Sequence, residues 1–287
     1  MATTAPTRPP SLPRLERALA VLAALAVGSA LAQSGPDAAP DPTRAAIDKY
    51  RAAIADDNPA QLAIAAGAAL WASPGGPRQA TLERCDLGLG PGVVAGAAAR
   101  LPRWFADAGQ QMDLEARLVY CVTTLQGIAR DELVRHPFAS ADEAPTTIEA
   151  LAAFVADASR GTRIEVPQSR PEERAAYRRG EAIFFYRAGP YDFACASCHG
   201  LEGRRIRLQE LPDLARPGPS AQRTIATWPA YRISDGALRT VEWRLTDCFR
   251  QQRWPQLRFL SPAAIDLATF LGVNASGGTM DAPGLKR

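Results

Sequence analysis

The segment Cys195-Ala-Ser-Cys-His199 constrains this chain most, because it has the C-x-x-C-H spacing of a c-type haem attachment site. Two thiols three residues apart can each form a thioether with a haem vinyl group, and the adjacent imidazole then lies beneath the iron. We therefore predict that Cys195 and Cys198 attach one haem covalently and that His199 is its proximal ligand.

Other uses of a C-x-x-C pair have to be considered, since redox dithiols and zinc sites also contain it. Neither use needs the histidine, and the chain has no second C-x-x-C pair. The segment before the motif, residues 172–188, has the periodicity of an amphipathic helix with Tyr177, Ile183, Phe184 and Tyr186 on its apolar face. Such a first helix is typical of a small cytochrome, so haem attachment is the preferred interpretation.

The N-terminus has the pattern of a secretory signal peptide. Arginines precede an apolar run over residues 18–27, and Ala30-Leu-Ala32 supplies small residues for cleavage. We predict a signal peptide over residues 1–32, cleavage after Ala32 and a flexible leader over residues 33–42. No later stretch reaches the roughly 18 apolar residues that a membrane span needs. A soluble protein of an oxidising compartment, the bacterial periplasm, is therefore expected.

Helical periodicity dominates the remaining sequence, and the predicted fold class is mostly α. The net charge of +3 gives no indication of a nucleic-acid partner. Residues 161–171 contain two prolines and no apolar periodicity, which predicts a linker. The linker separates a domain over residues 43–160 from a domain over residues 172–275, and residues 276–287 are expected to form a flexible tail.

An internal repeat relates the two halves. Gly67-Ala-Ala-Leu-Trp71 resembles Gly180-Glu-Ala-Ile-Phe184, and the segment ending at Cys121 resembles the segment ending at Cys248, each with Arg-x-x-x-Cys. We interpret the chain as a tandem pair of cytochrome c-like domains.

The N-terminal half departs from the haem motif at two of its three positions. The register of the repeat places Leu82, Cys85 and Asp86 opposite the Cys, Cys and His of the motif. We therefore predict that the N-terminal domain has no haem and that Cys85 forms a disulfide with Cys121. Counting alone also allows pairings with Cys248, because five cysteines minus two thioethers leave three.

A distal iron ligand is harder to find, because methionine is the usual choice in small cytochromes of this type. Met112 belongs to the other half, as does His136, and Met280 lies beyond the last predicted helix. By elimination Cys248 is the candidate distal ligand. The alternative is that Cys248 is a buried, inert thiol.

Arginines surround Cys248 in the sequence. Arg244 lies four residues earlier on the same helix face, and Arg250 and Arg253 follow. Such a setting is expected to lower the pKa of the thiol and to attract a small dianion. Arg250 could equally lie on a solvated helix face or pair with a haem propionate. Three arginines just after the motif suit propionates better: Arg204, Arg205 and Arg207.

With these features the chain resembles the SoxA family, the larger subunits of the SoxAX cytochromes of bacterial thiosulfate oxidation. The resemblance rests on the duplicated cytochrome, on Cys195-Ala-Ser-Cys-His199 and on Arg244-Leu-Thr-Asp-Cys248-Phe-Arg-Gln-Gln-Arg-Trp-Pro255, and it covers essentially the whole mature chain. Because Leu82 and Asp86 replace a second motif, the chain is similar to the single-haem members.

The resemblance implies an L-cysteine S-thiosulfotransferase, which oxidatively joins thiosulfate to a cysteine of SoxY in the SoxYZ carrier while two electrons leave through the haem. It also implies that Cys248 is the active-site cysteine, bears a persulfide and binds the iron, that Arg244 is the catalytic, substrate-binding arginine, and that a SoxX cytochrome completes a heterodimer. Two alternatives are an electron-transfer cytochrome and a thiosulfate dehydrogenase that forms tetrathionate. The sequence leaves copper binding open.

Overall fold

The computed structural model describes residues 58–206 and 209–286, with residues 46, 49, 50 and 53 as isolated positions before them. The predicted signal peptide and leader over residues 1–42 lie outside the described residues. All described residues from 58 onward belong to one structural unit.

From residue 58 onward, the first half of the described chain contains four α-helices and one short β-hairpin, which lies between the first two helices. Asn58 accepts a hydrogen bond from the Ala60 backbone N–H at the start of the first helix, and Asp113 caps the second in the same way through Ala116. The elements, in chain order, are α1 Ala60–Ala72, a 3₁₀ turn Ala98–Arg100, β1 Arg103–Phe105, β2 Gln110–Met112, α2 Leu114–Cys121, a π-helical turn Val122–Gln126, α3 Arg130–Arg135 and α4 Thr147–Asp157.

The second half contains five helices and a small sheet. Pro171 occupies the first position of its first helix, and Thr240 and Ser261 cap the last two through their hydroxyl groups. The elements are α5 Pro171–Phe185, α6 Cys195–His199, β3 Arg205–Ile206, β4 Gln209–Glu210, α7 Pro219–Ile225, β5 Ala230–Arg232, β6 Ala237–Arg239, α8 Val241–Gln251, α9 Pro262–Asn274 and β7 Gly284–Lys286.

The predicted mostly helical fold is confirmed, with an addition that the sequence did not indicate. Seven strands of two or three residues occur in the described part of the chain, too short to show an alternating pattern. They form two hairpins and a three-stranded sheet in the order β6-β5-β7, in which β7 runs parallel to β5.

Each half is held together by a crossing pair of helices. Helix α1 crosses α4 in the first half, and α5 crosses α9 at the equivalent place in the second. A glycine lies at each crossing. A Cβ atom on Gly67 would lie 2.1 Å from the carbonyl oxygen of Ala150, and one on Gly180 would lie 2.0 Å from that of Asp266. Each close approach therefore requires glycine.

The segments before α2 and α8 are also equivalent. Each begins with a cis X-Pro bond, at Leu101-Pro102 and at Trp228-Pro229, and continues as an antiparallel two-stranded hairpin that leads into the helix. The two helices then end in Cys121 and contain Cys248, which are related by the same offset as the prolines.

The chain after α9 is not the flexible tail expected over residues 276–287. Met280 and Ala282 are buried, and β7 adds a strand to the sheet. The predicted linker, residues 161–171, packs against this segment, because the Ile164 backbone N–H donates to the Gly278 carbonyl oxygen at 2.8 Å. The local composition indicated that both segments would be irregular. It did not indicate that they pack against each other, because the contacting residues are more than 100 positions apart.

Candidate functional site

The C-x-x-C-H motif forms the short helix α6, which holds its three side chains on one turn. The hydroxyl of Ser197 accepts a hydrogen bond from the Ala194 N–H at 2.9 Å and so fixes the start of this turn. Cys195 and Cys198 are both free thiols and partly buried. Both sulfurs are thus available for thioether bonds.

His199 is oriented by the backbone. Its Nδ1 lies 3.0 Å from the carbonyl oxygen of Pro212, and because a carbonyl can only accept, Nδ1 carries the proton. The lone pair of Nε2 is then directed away from this bond and is available to a metal. Burial lowers the pKa of His199, the hydrogen bond to Pro212 opposes this, and the charge of Arg244 lowers the pKa further. A neutral imidazole of this tautomer is the form that binds iron.

An apolar cluster lies beside α6 and suits a porphyrin. Fully buried side chains from α5 and α9 form its centre, and partly buried Cys195, Leu245 and Phe249 pack against them. The central members are Phe184, Leu267 and Phe270. The free thiols, the oriented imidazole and this apolar wall together fit a c-type haem.

Helix α8 contributes the other side of the site. The guanidinium groups of Arg232 and Arg239 both lie over the ring of its residue Trp243, 5.2 Å and 4.6 Å from the centroid. Asp235 bridges these arginines at 3.4 Å and 3.2 Å. The hairpin β5–β6 thereby anchors α8, which presents Arg244, Asp247 and Cys248.

The charge of Cys248 interacts with those of Cys195 and Cys198, so the three cysteines lie near one another, but the structure corrects the expected acidity of the Cys248 thiol. Burial raises the pKa of Cys248 above that of an ordinary cysteine, the charges of Arg244 and Arg232 lower it, and Asp247 and Cys198 raise it. Burial outweighs the arginines because the thiol is removed from water. Cys248 also raises the pKa of Cys195, which reaches about 12 mainly through burial.

Asp247 is the acidic member of this group and was not singled out from sequence. Its carboxylate accepts hydrogen bonds from Arg244, Arg250 and Gln251 at 2.8, 2.6 and 2.7 Å. Burial alone would raise the pKa of Asp247, but the hydrogen bonds from Arg250 and Gln251 and the charges of Arg244 and Arg250 lower it overall. Arg250 therefore pairs with a carboxylate rather than only lining a solvated face.

The remaining sequence candidates lie elsewhere. Met280 packs with Ile164 and Ala226 in a separate cluster, so it is not presented to the motif. Arg204 donates to the carbonyl oxygen of Ser197, and Arg205 is exposed in β3. Arg207 lies outside the described residues.

In the N-terminal half the predicted disulfide between Cys85 and Cys121 is confirmed. Leu82 is buried in the same core, and Asp86 accepts hydrogen bonds from the backbone N–H groups of Gly88 and Gly90. Asp86 thus stabilises a loop at the position that His199 has in the other half.

A buried acidic group lies where α2 meets α8, and no local sequence pattern predicted it. Asp113, Glu115 and Glu242 are each at most 5% exposed. Burial and the charge of Asp113 raise the pKa of Glu115 to about 8. Burial likewise raises the pKa of Glu242, whose carboxyl hydrogen-bonds to Asp113. These side chains join the two halves as protonated or hydrogen-bonded acids.

Covalent haem attachment is the use of the C-x-x-C-H motif that the geometry at His199 favours, which places the protein among the c-type cytochromes. A family model described as SoxA/TsdA, cytochrome c domain, matches residues 66–164, within the half that lacks the motif. The L-cysteine S-thiosulfotransferase subunit SoxA of Hydrogenophilus thermoluteolus is 46% identical over 242 residues, covering 84% of this chain and 88% of the relative. The chain belongs to this family of SoxA subunits.

More distant relatives agree. The L-cysteine S-thiosulfotransferase subunit SoxA of Allochromatium vinosum is 30% identical over 82% of this chain and 76% of its own length. The crystal structure of SoxXA from P. pantotrophus matches with a TM-score of 0.66 and 22% identity over 80% of each chain, which supports the fold. No helix in the described part of the chain combines the length and apolar character of a membrane span.

Proposed function

We propose that this chain is a haem enzyme of sulfur oxidation that joins thiosulfate to a cysteine of the carrier protein SoxY in the SoxYZ complex. Membership of the SoxA family supports the class of reaction. The observation that carries the proposal is the convergence of Cys248 and Arg244 on the haem motif: the charge of Arg244 acts on both Cys248 and His199.

The motif residues have structural roles in this proposal. Cys195 and Cys198 would hold the haem through thioether bonds, and His199 Nε2 and the Cys248 sulfur would bind its iron. A covalently bound c-type haem would supply a one-electron acceptor, and the two electrons of the reaction would leave one at a time to the partner cytochrome.

The chemistry of thiosulfate is assigned to Cys248 and Arg244. Arg244 binds the dianion through its guanidinium N–H groups, which favour planar oxyanions. The outer sulfur of thiosulfate bonds to the Cys248 sulfur, which gives Cys248–S–S–SO₃⁻ and releases two electrons together with the thiol proton. The nearby arginine charges stabilise the thiolate from which this bond forms, against the opposing effect of burial.

Transfer to the carrier is a thiol exchange. The carrier thiolate attacks the sulfur next to the sulfonate and displaces the Cys248 thiolate, so that the thiosulfate group ends on the carrier cysteine and Cys248 is regenerated. No electrons are exchanged in this second step. A persulfide at Cys248 would perform the same two steps with one more sulfur in the chain.

We infer that the chain is a tandem pair of cytochrome c-like domains over residues 43–160 and 172–275, the first of them without haem. The equivalent glycine crossings and cis-proline hairpins support this, as does the match of residues 66–164 to a cytochrome c domain. The Cys85–Cys121 disulfide links the positions equivalent to Cys198 and Cys248 in the other half.

The proposed setting is a bacterial periplasm and a heterodimer with a SoxX cytochrome. The arginine-rich, apolar N-terminus with its small-residue cleavage site supports export. The structural relative whose title names SoxXA supports a partner of that kind.

Replacement of Cys248 by serine tests the proposal. The variant protein, produced with its haem and partner, should lose conjugation of thiosulfate to SoxYZ by at least about 1,000-fold, because the nucleophile is removed while the attachment site is intact. The measurement is the mass of SoxY after incubation with thiosulfate and an electron acceptor. Haem content by absorbance serves as the control.

Undiminished conjugation by Cys248→Ser protein with full haem content would refute the proposal. Product analysis without SoxYZ addresses the alternative: tetrathionate formed by the wild-type protein at the rate of acceptor reduction would identify a thiosulfate dehydrogenase instead.

A further inference from the structure

Asp247 is a carboxylate beneath a group of basic side chains. It is 8% exposed, whereas the side chain of Arg244 is 34% and that of Arg250 is 75% exposed. Arg244 Nη1 and Gln251 Nε2 both donate to its Oδ2, at 2.8 and 2.7 Å, and Arg250 Nη2 donates to its Oδ1 at 2.6 Å. The carboxylate faces the guanidinium groups and is shielded from solvent, so it does not contact an anion that binds to the arginines.

A second structural element is connected to the same carboxylate. Arg232 in β5 lies 3.9 Å from Asp247 Oδ2 and also contacts Asp235 and the face of Trp243. Asp247 therefore connects the β5–β6 hairpin to α8 next to Cys248. The basic groups outnumber the carboxylates in this cluster, so it remains cationic.

The spacing explains why one residue can organise the others. Arg244, Asp247 and Arg250 lie at successive three-residue steps along α8, and such side chains are neighbours on a helix surface. A hydrogen-bonded carboxylate between two arginines restricts the rotamers of both. Without it, two like charges on adjacent turns would separate into solvent, because arginine side chains have many rotamers.

We propose that Asp247 is a positioning residue that holds Arg244 and Arg250 in the orientation in which they receive thiosulfate beside the Cys248 sulfur. The inference rests on the proposed function and adds a residue to its site. Asp247 touches neither substrate nor haem in this account and acts only through the two arginines.

The test compares three variants in the haem-loaded complex: Asp247→Asn, Asp247→Glu and the control Asp266→Asn. Asp266 is the matched control because its carboxylate is also about 5% exposed and accepts hydrogen bonds from an arginine, Arg179, at 2.7 and 2.8 Å. Unlike the Asp247 group, this pair joins α5 to α9 and includes no residue of the site. Initial rates per bound haem, over a range of thiosulfate concentrations, give kcat and KM separately.

Asp247→Asn is expected to lower kcat by about 10- to 100-fold, the usual effect of a displacement near 1 Å in a reacting group, and to change KM by less than about 3-fold. Loss of the negative charge of Asp247 makes the site more positive, which attracts thiosulfate and offsets the lost orientation. Asp247→Glu retains the carboxylate and should recover part of kcat. Asp266→Asn should lower stability without changing kcat per haem.

Two results would overturn the inference. A kcat equal to wild type in Asp247→Asn, with or without tighter thiosulfate binding, would show that Asp247 is only a counter-charge or a structural residue. If Asp247→Asn does not retain haem, Asp247→Glu decides: lower kcat at unchanged KM supports positioning, and wild-type kinetics contradicts it. Failure of the wild-type protein to conjugate thiosulfate would refute the proposed function and is distinguishable from both results.

Discussion

Glu115 has a pKa of about 8 because it is buried between α2 and α8 and because the charge of Asp113 opposes its ionisation. Hydrogen bonds from the Thr240 hydroxyl and the Glu242 backbone N–H lower this pKa only partly. Glu115 and Glu242 are equivalent positions of the repeat, and each reaches the capping residue of the other helix. Two reciprocal contacts between a glutamate and a capping residue thereby connect the two halves.

Stability should therefore depend on pH. The folded protein retains the Glu115 proton up to about pH 8, whereas the unfolded chain loses it near the ordinary glutamate pKa of 4.5. The stabilisation is complete below the lower value and is lost as pH rises through the higher one, by about 1.4 kcal/mol per pH unit for one proton. Denaturant unfolding of the holoprotein between pH 5 and 8 measures this slope.

Glu115→Gln should flatten the pH profile, because the amide is neutral at every pH, although Asp113 and Glu242 continue to titrate. Glu143→Gln is the control, since this carboxylate is exposed and its pKa is lowered by hydrogen bonds from Ser140. Identical slopes in Glu115→Gln and wild-type protein would show that Glu115 is ionised in the folded state.

At the level of elements, the pair α5–α9 builds the apolar wall beside the C-x-x-C-H motif. Gly180 allows the two backbones to approach, and the rings of Phe184 and Phe270 then pack at a tilt with centroids 5.0 Å apart. In the other half, Gly67 permits the same approach of α1 to α4, where Trp71 and Phe154 are 6.0 Å apart. The same crossing thus supports the apolar wall beside the C-x-x-C-H motif in one half and a core that contains the Cys85–Cys121 disulfide in the other.

Gly180→Ala should separate α5 from α9, because the new methyl group would meet the backbone oxygen of Asp266 at 2.0 Å. We expect a loss of about 1–3 kcal/mol in the free energy of unfolding, as for other overpacked cores, together with a lower yield of covalent haem. Gly67→Ala should have a similar cost but leave the haem yield unchanged.

Gly218→Ala is the control for both variants, because nothing lies within 4 Å of a Cβ atom at that position. Unfolding and absorbance measurements on the three proteins test the expectation. Gly180→Ala protein as stable and as haem-rich as Gly218→Ala protein would contradict it.

Across the whole molecule, the features that the sequence predicts are those shown by a local spacing or by the internal repeat. The C-x-x-C-H motif places three side chains on one turn, and the repeat predicts the partner of Cys85. The start of α4 is also set by a local pattern, because Thr146 and Glu149 form reciprocal hydrogen bonds there.

The features that the sequence does not predict depend on distant residues. The pKa of Cys248 is raised because burial, which spacing does not report, outweighs its arginines. The contact between the segment near Ile164 and the chain around Gly278 joins two stretches without periodicity. Asp247 had a usable pattern, since carboxylates three residues from arginines on a helix are expected to pair, but the number of its partners emerges only in three dimensions.

Peptide mass spectrometry after a single turnover tests the central claim most directly. The haem-loaded protein is mixed with thiosulfate and an oxidised electron acceptor in the absence of SoxYZ, quenched in acid and digested. The account predicts a thiosulfate adduct on the peptide that contains Cys248, and its loss when SoxYZ is added. Acceptor reduction with an unmodified Cys248 peptide would contradict it.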